Sequence, residues 1–291
     1  MVDVERATRV VVGVDGSSTA RVALRWAMAE AALWGATLEV LHAWHTPMLF
    51  VPDAYAPDLV EMGRMDEAAL GFIDRQLDAV GADADCGIVI ERTQVDSFPA
   101  HALIDASTRA QLVVVGRHGQ GGFPHELITP KVVQVAHHSA GPVAVVPDEW
   151  DGDGTGVVVG VDGSEHAAVA VRWAAAEAVR RQTSLTAVMG WGLLDQHHIG
   201  QDTTFDPQYS ETTALDVLTA YVDNALGPVP DVRVDKKAIN DLPARALIES
   251  AEHAELLVVG ARGLGGFRDL MLGSVSHRCL AHARCPTVVV R

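Results

Sequence analysis

The fold is decided by the stretch Gly260-Ala-Arg-Gly263-Leu-Gly-Gly-Phe-Arg-Asp-Leu-Met-Leu-Gly273-Ser274. This stretch reads G-x2-G-x9-G-S, and it follows an apolar run over residues 256–259 that is typical of a buried strand. The residues after it place apolar side chains at helical spacing. A strand, a glycine-rich loop and a helix start, in that order, offer backbone N–H groups and the positive end of a helix to a phosphate. Glycine permits the close approach because it has no Cβ, and it also adopts positive φ.

The same loop occurs twice in the chain. Gly116-Arg-His-Gly119 precedes Gly260-Ala-Arg-Gly263 at an offset of 144 residues. Near the start of each half, Val-Gly-Val-Asp-Gly-Ser recurs over residues 12–17 and 159–164, at an offset of 147. Halves that agree from the first strand to the last are tandem copies of one domain.

The composition between the halves indicates their boundaries. Residues 148–156 are acidic and rich in glycine, which predicts a short flexible linker. We therefore predict one domain over residues 1–147 and a second over residues 157–291. Each is long enough to bury its own core.

Strand and helix patterns alternate within each half, which favours an α/β fold with a parallel sheet and helices on both faces. Ligands on such sheets bind beyond the carboxyl ends of the strands. Asp15 and Asp162 end the first strands, so they share a cleft with the glycine loops if the first and fourth strands are neighbours. In the first half, strands are predicted near 9–14, 37–43, 86–92, 111–116 and 142–147, and helices near 17–34, 58–80, 98–109 and 130–139.

Taken together, these motifs resemble the universal stress protein family in its tandem form. The resemblance covers almost the whole chain and includes the closing Cys-Pro-Thr-Val-Val-Val. It implies a five-stranded, Rossmann-like sheet in each domain, of the adenine nucleotide α-hydrolase type. It also implies ATP binding with Mg²⁺, a homodimer through the C-terminal strands, and a stress-response regulatory role. Nucleotide occupancy would then tune conformation or the binding of a regulatory protein partner.

The resemblance also implies which residues contact ATP. Asp162 would contact the ribose and adenine end, the backbone near Gly190 would line the adenine pocket, and the glycine loop with Ser274 would hold the phosphates. The full set in the second half is Val161, Asp162, Gly190, Val259, Gly260, Arg262, Gly263, Gly273, Ser274 and Val275. The corresponding set in the first half is Val14, Asp15, Ala43, Val115, Gly116, Arg117, Gly119, Thr129 and Lys131.

The first half departs from this pattern at its last position. Thr129-Pro130 stands where the second half has Gly273-Ser274. Proline has no N–H, so one backbone donor to phosphate is lost together with the serine hydroxyl. Hydrogen bonds to charged groups contribute about 1.5–3 kcal/mol, so we expect ATP affinity at the first site to be lower by roughly 10- to 1000-fold. Lys131 is a candidate for compensation.

An enzyme is the alternative function, either a slow ATPase or a nucleotidyl-transfer enzyme of the adenine nucleotide α-hydrolase type. The chain has no G-x4-G-K-[ST], G-x-S-x-G or H-E-x-x-H motif. Asp15 and Asp162 are possible general bases, but a carboxylate beside a ribose is more often a binding group. We therefore favour the regulatory function.

The amino-acid composition argues against some classes of binding partner. A formal net charge of −16 and a pI near 5.1 argue against a nucleic-acid partner. No apolar stretch approaches ~18 residues, so we expect no membrane span, and the N-terminal residues lack a signal-peptide core. We expect a cytoplasmic protein.

Several features have mainly structural interpretations. Three cysteines make no disulfide framework or zinc spacing and are expected to be core thiols. Two adjacent histidine pairs are poor metal clamps, because neighbours in a helix point to different sides. Residues 45–57 and 191–208 are expected to be long loops over the cleft, as spacers or as lids. The side chains concerned are Cys86, Cys279, Cys285, His137, His138, His197, His198 and, beside the cleft, His42 and His45.

Overall fold

The chain folds into two compact units that divide between Asp148 and Glu149. We call them domain 1 and domain 2. The computed structural model describes residues 8–44, 71–82, 87–119, 128–192, 211–227, 232–264 and 272–291. Within these ranges, no helix combines the length and the hydrophobicity that a membrane span requires.

Domain 1 alternates strands and helices along the chain, as its sequence predicts. Its described strands run parallel in the order β3-β2-β1-β4-β5. The strands are β1 (Arg9–Gly13), β2 (Thr37–Trp44), β3 (Ile90–Asp96), β4 (Leu112–Gly116) and β5 (Val143–Val146). The helices are α1 (Ser18–Trp34), α2 (described over 71–79), α3 (Pro99–Ser107) and α4 (Pro130–His138).

Domain 2 repeats this architecture with the strand order β8-β7-β6-β9-β10, again parallel. Helices α5 and α6 contact each other, as do α7 and α8, so helices cover both faces of the sheet. The strands are β6 (Val157–Gly160), β7 (Leu185–Gly190), β8 (Val234–Ile239), β9 (Leu256–Gly260) and β10 (Thr287–Val290). The helices are α5 (Glu165–Arg180), α6 (Glu211–Leu226), α7 (Pro243–Ser250) and α8 (Ser274–His282). The predicted α/β fold with two tandem parallel sheets is confirmed.

The central strands explain why both sheets are stable. Residues 10–12, 112–114 and 256–258 are at most 1% exposed. Such continuous apolar runs are expected where helices cover both faces of a parallel sheet. The first and fourth strands of each domain are direct neighbours, so the first and fourth strand ends meet at one edge of each sheet.

The turn after each first strand is also set by local sequence. Gly16 and Gly163 have φ of 85° and 84°, a conformation that side chains with a Cβ rarely adopt. The next residue caps the following helix, because Ser17 Oγ accepts from Ala20 N at 3.1 Å, and Ser164 Oγ does the same for Ala167 N at 3.1 Å.

The third strand of domain 1 lies later than predicted. The apolar run near 86–92 suggested a strand, but β3 begins at Ile90 and extends to Asp96. It pairs only with β2 within the described part of domain 1, and most of its residues are partly or fully exposed. An edge strand needs no apolar run, so the polar residues of β3 did not show the pattern from which strands are predicted. Gly87, at φ 75°, lies in the bend before it.

The predicted flexible linker is fixed to domain 2 at its end. Thr155 N donates to the His253 carbonyl at 2.9 Å. A Cβ on Gly154 would overlap the carbonyl group of Ala254, so glycine is required there for close packing. The acidic, glycine-rich composition therefore reflects a close approach of two backbones as well as a connection.

The C-terminal strand is buried. All four residues of β10 are buried, with Val288, Val289 and Val290 at most 3% exposed. Homodimerisation through the C-terminal strands stays a prediction from the family resemblance.

Candidate functional site

Each domain places an aspartate at the carboxyl end of its first strand, held by backbone N–H groups. Asp15 Oδ1 accepts from Ser17 N at 3.0 Å, and Asp162 Oδ1 accepts from Ser164 N at 3.0 Å. In domain 2 the second oxygen, Asp162 Oδ2, accepts from Leu264 N at 3.1 Å. The aspartate thus joins the first turn to the glycine loop.

The first glycine of each loop packs tightly against helix backbone, and the second lies against the carboxylate of the first-strand aspartate. An ideal Cβ on Gly260 would lie 2.9 Å from the carbonyl carbon of His166 in α5, and one on Gly116 would lie 3.0 Å from that of Thr19 in α1. A Cβ on Gly263 would overlap Asp162 Oδ2. The sequence suggested that these glycines make room for phosphate, but packing against helix backbone already explains Gly260 and Gly116.

Gly273 differs from the other loop glycines. It is the N-cap of α8 with φ −62° and ψ 146°, values open to any residue. The atom nearest to an added Cβ is the Ala261 carbonyl oxygen at 3.4 Å, which is ordinary van der Waals contact. Neither backbone conformation nor packing within the described residues demands glycine at this position.

The start of α8 is anchored to the end of β9. Gly273 N donates to the Ala261 carbonyl at 2.9 Å, and Ser276 Oγ donates to the Gly260 carbonyl at 2.6 Å. Ser274 occupies the first position of the helix, where the helix itself supplies no acceptor for the N–H. The positive end of α8 is thereby fixed beside the glycine loop.

A cavity of about 310 Å³ joins these parts in domain 2. It is lined by all ten predicted residues: Val161, Asp162, Gly190, Val259, Gly260, Arg262, Gly263, Gly273, Ser274 and Val275. Sequence reasoning missed Pro243 and Leu247, which line the cavity from α7. No sequence motif identifies these two residues, because the order of the strands in the sheet is what brings α7 to the cavity. Gly190 is required there, since its Cβ would lie 2.5 Å from Pro243 Cα.

Domain 1 has the corresponding cavity, of about 100 Å³. Eight of the nine predicted residues line it: Val14, Asp15, Ala43, Val115, Gly116, Gly119, Thr129 and Lys131. The ninth, Arg117, is buried elsewhere, and its backbone N donates to the Val146 carbonyl at 2.9 Å. Side chains alternate in direction just beyond a strand, so His118 lines the cavity in place of Arg117.

His118 is the residue of domain 1 that the sequence analysis missed. The offset of 144 aligns it with Arg262, and this signal was available. Its ring is 8% exposed, and Nδ1 lies 2.8 and 2.9 Å from the two carboxylate oxygens of Asp148. Because a carboxylate accepts, Nδ1 carries the proton and donates to Asp148. The imidazole is therefore held in one orientation.

The helix starts differ between the domains as the sequence suggested. Pro130 occupies the first position of α4, and Thr129 is its N-cap without a side-chain cap hydrogen bond. Proline fits this position because its missing N–H has no helical acceptor. The fold is kept, while the N–H that Ser274 provides in domain 2 is absent.

A second arginine lies beside the glycine loop of domain 2. In domain 2, Val290 pairs with Gly260, and Ala261 N donates to the Val290 carbonyl at 2.8 Å. Arg291 therefore follows directly beside the glycine loop. Burial, together with the positive charge of Arg262, lowers the pKa of the Arg291 guanidinium. Two arginines thus flank this loop.

The remaining candidates are structural or lie outside the described residues. Cys279 and Cys285 are buried, as expected of core residues. His42 Nδ1 donates to the Val14 carbonyl at 2.9 Å, and its ring lies 4.3 Å from that of Phe72. Across the described ranges, no three His, Cys, Asp or Glu side chains are arranged to hold a metal ion. Outside those ranges lie Cys86, His45, His197, His198 and the predicted loops 45–57 and 191–208, except Trp191 and Gly192.

Comparison with known proteins agrees with this architecture. The model of the universal stress protein family matches residues 7–147 and again residues 155–291. A universal stress protein of Mycolicibacterium smegmatis is 34% identical over 293 residues, which cover 97% of this chain and 96% of that protein. The crystal structure of a universal stress protein from Archaeoglobus fulgidus has the same fold, with a TM-score of 0.64 at 19% identity, covering 97% of this chain and 96% of that one.

A solved universal stress protein in complex with cAMP aligns with 50% of this chain and all of its own length, at 26% identity and a TM-score of 0.36. The family assignment does not depend on it, because the family model matches both halves. The M. smegmatis relative, in addition, aligns along nearly the whole chain. This protein belongs to the universal stress protein family.

Proposed function

We propose that this chain is a cytoplasmic regulatory protein that binds ATP in domain 2, and that nucleotide occupancy tunes its conformation or its binding of a partner protein under stress. The glycine loop and the start of α8 hold the phosphates in this proposal. The base occupies the end of the cavity lined by Val161, Val188 and Leu247. Such a site, mostly apolar with a few directed polar groups, is typical of small-molecule pockets.

The observation that carries the proposal is Gly273. Among the described residues nothing requires glycine there, because φ is −62° and an added Cβ meets its nearest described atom at 3.4 Å. A ligand that approaches the helix start closely would require it. Beside it, the N–H at the first position of α8 and the hydroxyl of Ser274 are the donors that a phosphate oxygen needs.

Mg²⁺ fits this site as a companion of the nucleotide. Asp162 is the one carboxylate among the described lining residues, and both of its oxygens accept backbone N–H groups. Mg²⁺ keeps several waters and commonly binds through phosphates with one or two carboxylates. When bound, it neutralises phosphate charge, while Arg262 supplies a further positive group from the protein.

The same geometry makes the enzyme alternative the weaker one. A general base needs a carboxylate or imidazole within hydrogen-bond reach of the attacking water. Asp162 is already engaged by two backbone donors, and no other described lining residue of the domain 2 cavity is a carboxylate or an imidazole. Nothing in the described part of the site favours slow ATP hydrolysis or nucleotidyl transfer.

The experiment is a titration of purified protein, stripped of nucleotide, with Mg–ATP. Ser274→Pro places in domain 2 the residue that domain 1 has at the same helix position. The change removes one N–H and one hydroxyl while keeping a helix start that tolerates proline. We expect ATP affinity to fall about tenfold to thousandfold, because one or two hydrogen bonds to a charged group are lost.

Ser18→Pro is the matched control, because Ser18 is exposed and occupies the first position of α1 in domain 1. It introduces the same proline at a helix start outside the domain 2 site. We expect unchanged ATP affinity at domain 2. Equal affinity of Ser274→Pro and wild type, or no ATP binding by either, would refute the proposal.

Homodimerisation and partner binding are tested separately. Light scattering distinguishes a monomer of 30.9 kDa from a dimer of twice that mass. If occupancy regulates assembly, the measured mass or the capture of a partner changes with saturating Mg–ATP in wild type and not in Ser274→Pro at the same concentration.

A further inference from the structure

Helix α6 reaches the first turn of domain 2 through the ring of Tyr221. An ideal Cβ on Gly163 would lie 2.5 Å from Cζ of Tyr221 and 2.7 Å from its hydroxyl oxygen, so the tip of the ring rests on the glycine. Gly163 has φ 84° and stands between Asp162, which carries the carboxylate of the site, and Ser164, which caps α5. Tyr221 is not among the described residues that line the cavity, so it contacts the turn without lining the site.

Tyr221 is not what fixes α6 to its domain. The helix contacts α5, β7 and β8. Its buried face is apolar, with four side chains at helical spacing that are at most 8% exposed, whereas Tyr221 is 41% exposed. The four side chains are Ala214, Leu218, Val222 and Ala225. Removing the ring of Tyr221 therefore leaves the buried face of α6 in place and uncovers Gly163.

Domain 1 holds its first turn from the corresponding helix by different chemistry. Arg21 Nη2 donates to the Gly16 carbonyl at 3.1 Å, and Arg21 Nε donates to Gln76 Oε1 of α2 at 3.2 Å. An offset of 145, between the 147 of the first strands and the 144 of the glycine loops, aligns Gln76 with Tyr221. Domain 2 has Ala168 where domain 1 has Arg21. The contact between helix and turn is thus present in both domains, although the residues that make it differ.

The conformation of this turn decides where the carboxylate of the domain 2 site lies. Asp162 directly precedes Gly163, and its Oδ2 accepts from Leu264 N at 3.1 Å, which ties the turn to the glycine loop. Glycine has more backbone freedom to lose than any other residue. Restraining such a residue before a ligand arrives lowers the entropy cost of binding. A ring that rests on Gly163 therefore preorganises Asp162 and the loop bonded to it.

We propose that Tyr221 is a positioning residue of the domain 2 site, whose ring holds the Gly163 turn, and through it Asp162, in the geometry that binds the nucleotide. Because the ring belongs to α6, the same contact couples this helix to occupancy of the site. The inference rests on the proposed function, since the site must bind a nucleotide for the turn to respond to it.

The first experiment is a titration of the full chain, stripped of nucleotide, with Mg–ATP. Tyr221→Ala should lower ATP affinity about threefold to tenfold, because the turn must then be ordered when the ligand binds. Tyr221→Phe keeps the ring on Gly163 and should bind ATP within about twofold of wild type. Leu215→Ala is the matched control, because it truncates a side chain of similar exposure, 39%, on the same helix. It should bind ATP as wild type does.

Fluorine NMR of the chain labelled with fluorotyrosine gives a readout that a purely structural role would not move. The chain has three tyrosines, and the resonance missing from Tyr221→Phe belongs to Tyr221. An ATP concentration that saturates wild type and not Ser274→Pro should shift this resonance in wild type and leave it nearly unshifted in Ser274→Pro. This measurement needs no variant at Gly163 or Asp162, and it decides the matter even if Tyr221→Ala is unstable.

Three results would overturn the inference: equal ATP affinity of Tyr221→Ala and wild type, equal losses in Tyr221→Phe and Tyr221→Ala, or a Tyr221 resonance that does not respond to ATP. Failure of the proposed function is distinct, since the wild-type chain would then bind no ATP that Ser274→Pro weakens.

Discussion

Replacing single loop glycines by alanine separates the glycines that serve the fold from the one that serves a ligand. At Gly260 the new methyl group would lie 2.9–3.1 Å from His166 and from the backbone N of Ala167. Backbone atoms cannot move aside cheaply, and overpacking of this kind costs about 1–3 kcal/mol. At Gly273 the nearest described atoms are 3.4–3.5 Å away and φ is −62°, so alanine fits among the described residues.

Both variants share the loss of chain entropy that alanine imposes on the unfolded state, worth about 0.4–1 kcal/mol in favour of folding. The free energies of unfolding should therefore differ by about 1–3 kcal/mol, with Gly273→Ala at or slightly above wild type. Urea unfolding followed by circular dichroism measures this difference. Two domains can unfold in separate transitions, so the comparison uses the transition that shifts in Gly260→Ala.

ATP titration of the same two proteins completes the test. Gly273→Ala should keep its stability and lose ATP affinity at least tenfold, because the methyl group occupies space that the phosphate needs. Gly116→Ala is the control for packing, since its Cβ would lie 3.0 Å from Thr19 in domain 1. If Gly273→Ala were as unstable as Gly260→Ala, or bound ATP like wild type, the distinction between the two glycines would be refuted.

Three further predictions concern stability. Gly154→Ala should lower the free energy of unfolding by about 1–3 kcal/mol, because the methyl group overlaps the Ala254 carbonyl. A urea midpoint equal to that of wild type would mean instead that the segment around Gly154 is a flexible linker. Burial raises the pKa of the Cys279 thiol to about 12 from 9.0, with a smaller contribution from Cys285. The buried, protonated thiol therefore contributes its full stabilisation below pH 9, and this stabilisation is lost as the pH rises towards 12. Relative to Cys279→Ala, the free energy of unfolding of wild type should fall by about 1 kcal/mol between pH 8 and 10 in urea titrations. Glu39 is buried between Arg9 at 3.0 Å and Arg109 at 2.5 Å, so removing both arginines should cost about 3–5 kcal/mol and more than Glu39→Gln, and equal losses in urea unfolding would contradict this account.

Much of the architecture follows from local patterns. The offsets of 144 and 147 identify the duplication, and the turn glycines Gly16 and Gly163 mark the ends of the first strands. The predicted residues of the domain 2 cavity lie at strand ends, in the loop that the motif defines or at the start of α8. These features are readable because each depends on a few adjacent residues and on the general geometry of parallel sheets.

Other features needed the packed structure. The edge strand β3 lacks an apolar run because one side of it has no neighbouring strand among the described residues of domain 1, so its position depends on pairing with β2. The choice between Arg117 and His118 depends on which side chain turns towards the cavity after the strand ends. Spacing alone does not fix that direction.

The sequence by itself determined the two tandem α/β domains, their glycine loops and the proline that alters the first site. Tertiary structure alone distinguished the loop glycines: Gly260 packs against α5, Gly263 lies against Asp162, and Gly273 has no such close contact among the described residues. It also decided that Asp148, distant in sequence, pairs with His118. The physical reason is that side-chain direction and van der Waals contact depend on which elements meet in space, whereas helix caps, turns and strand periodicity depend on neighbours along the chain.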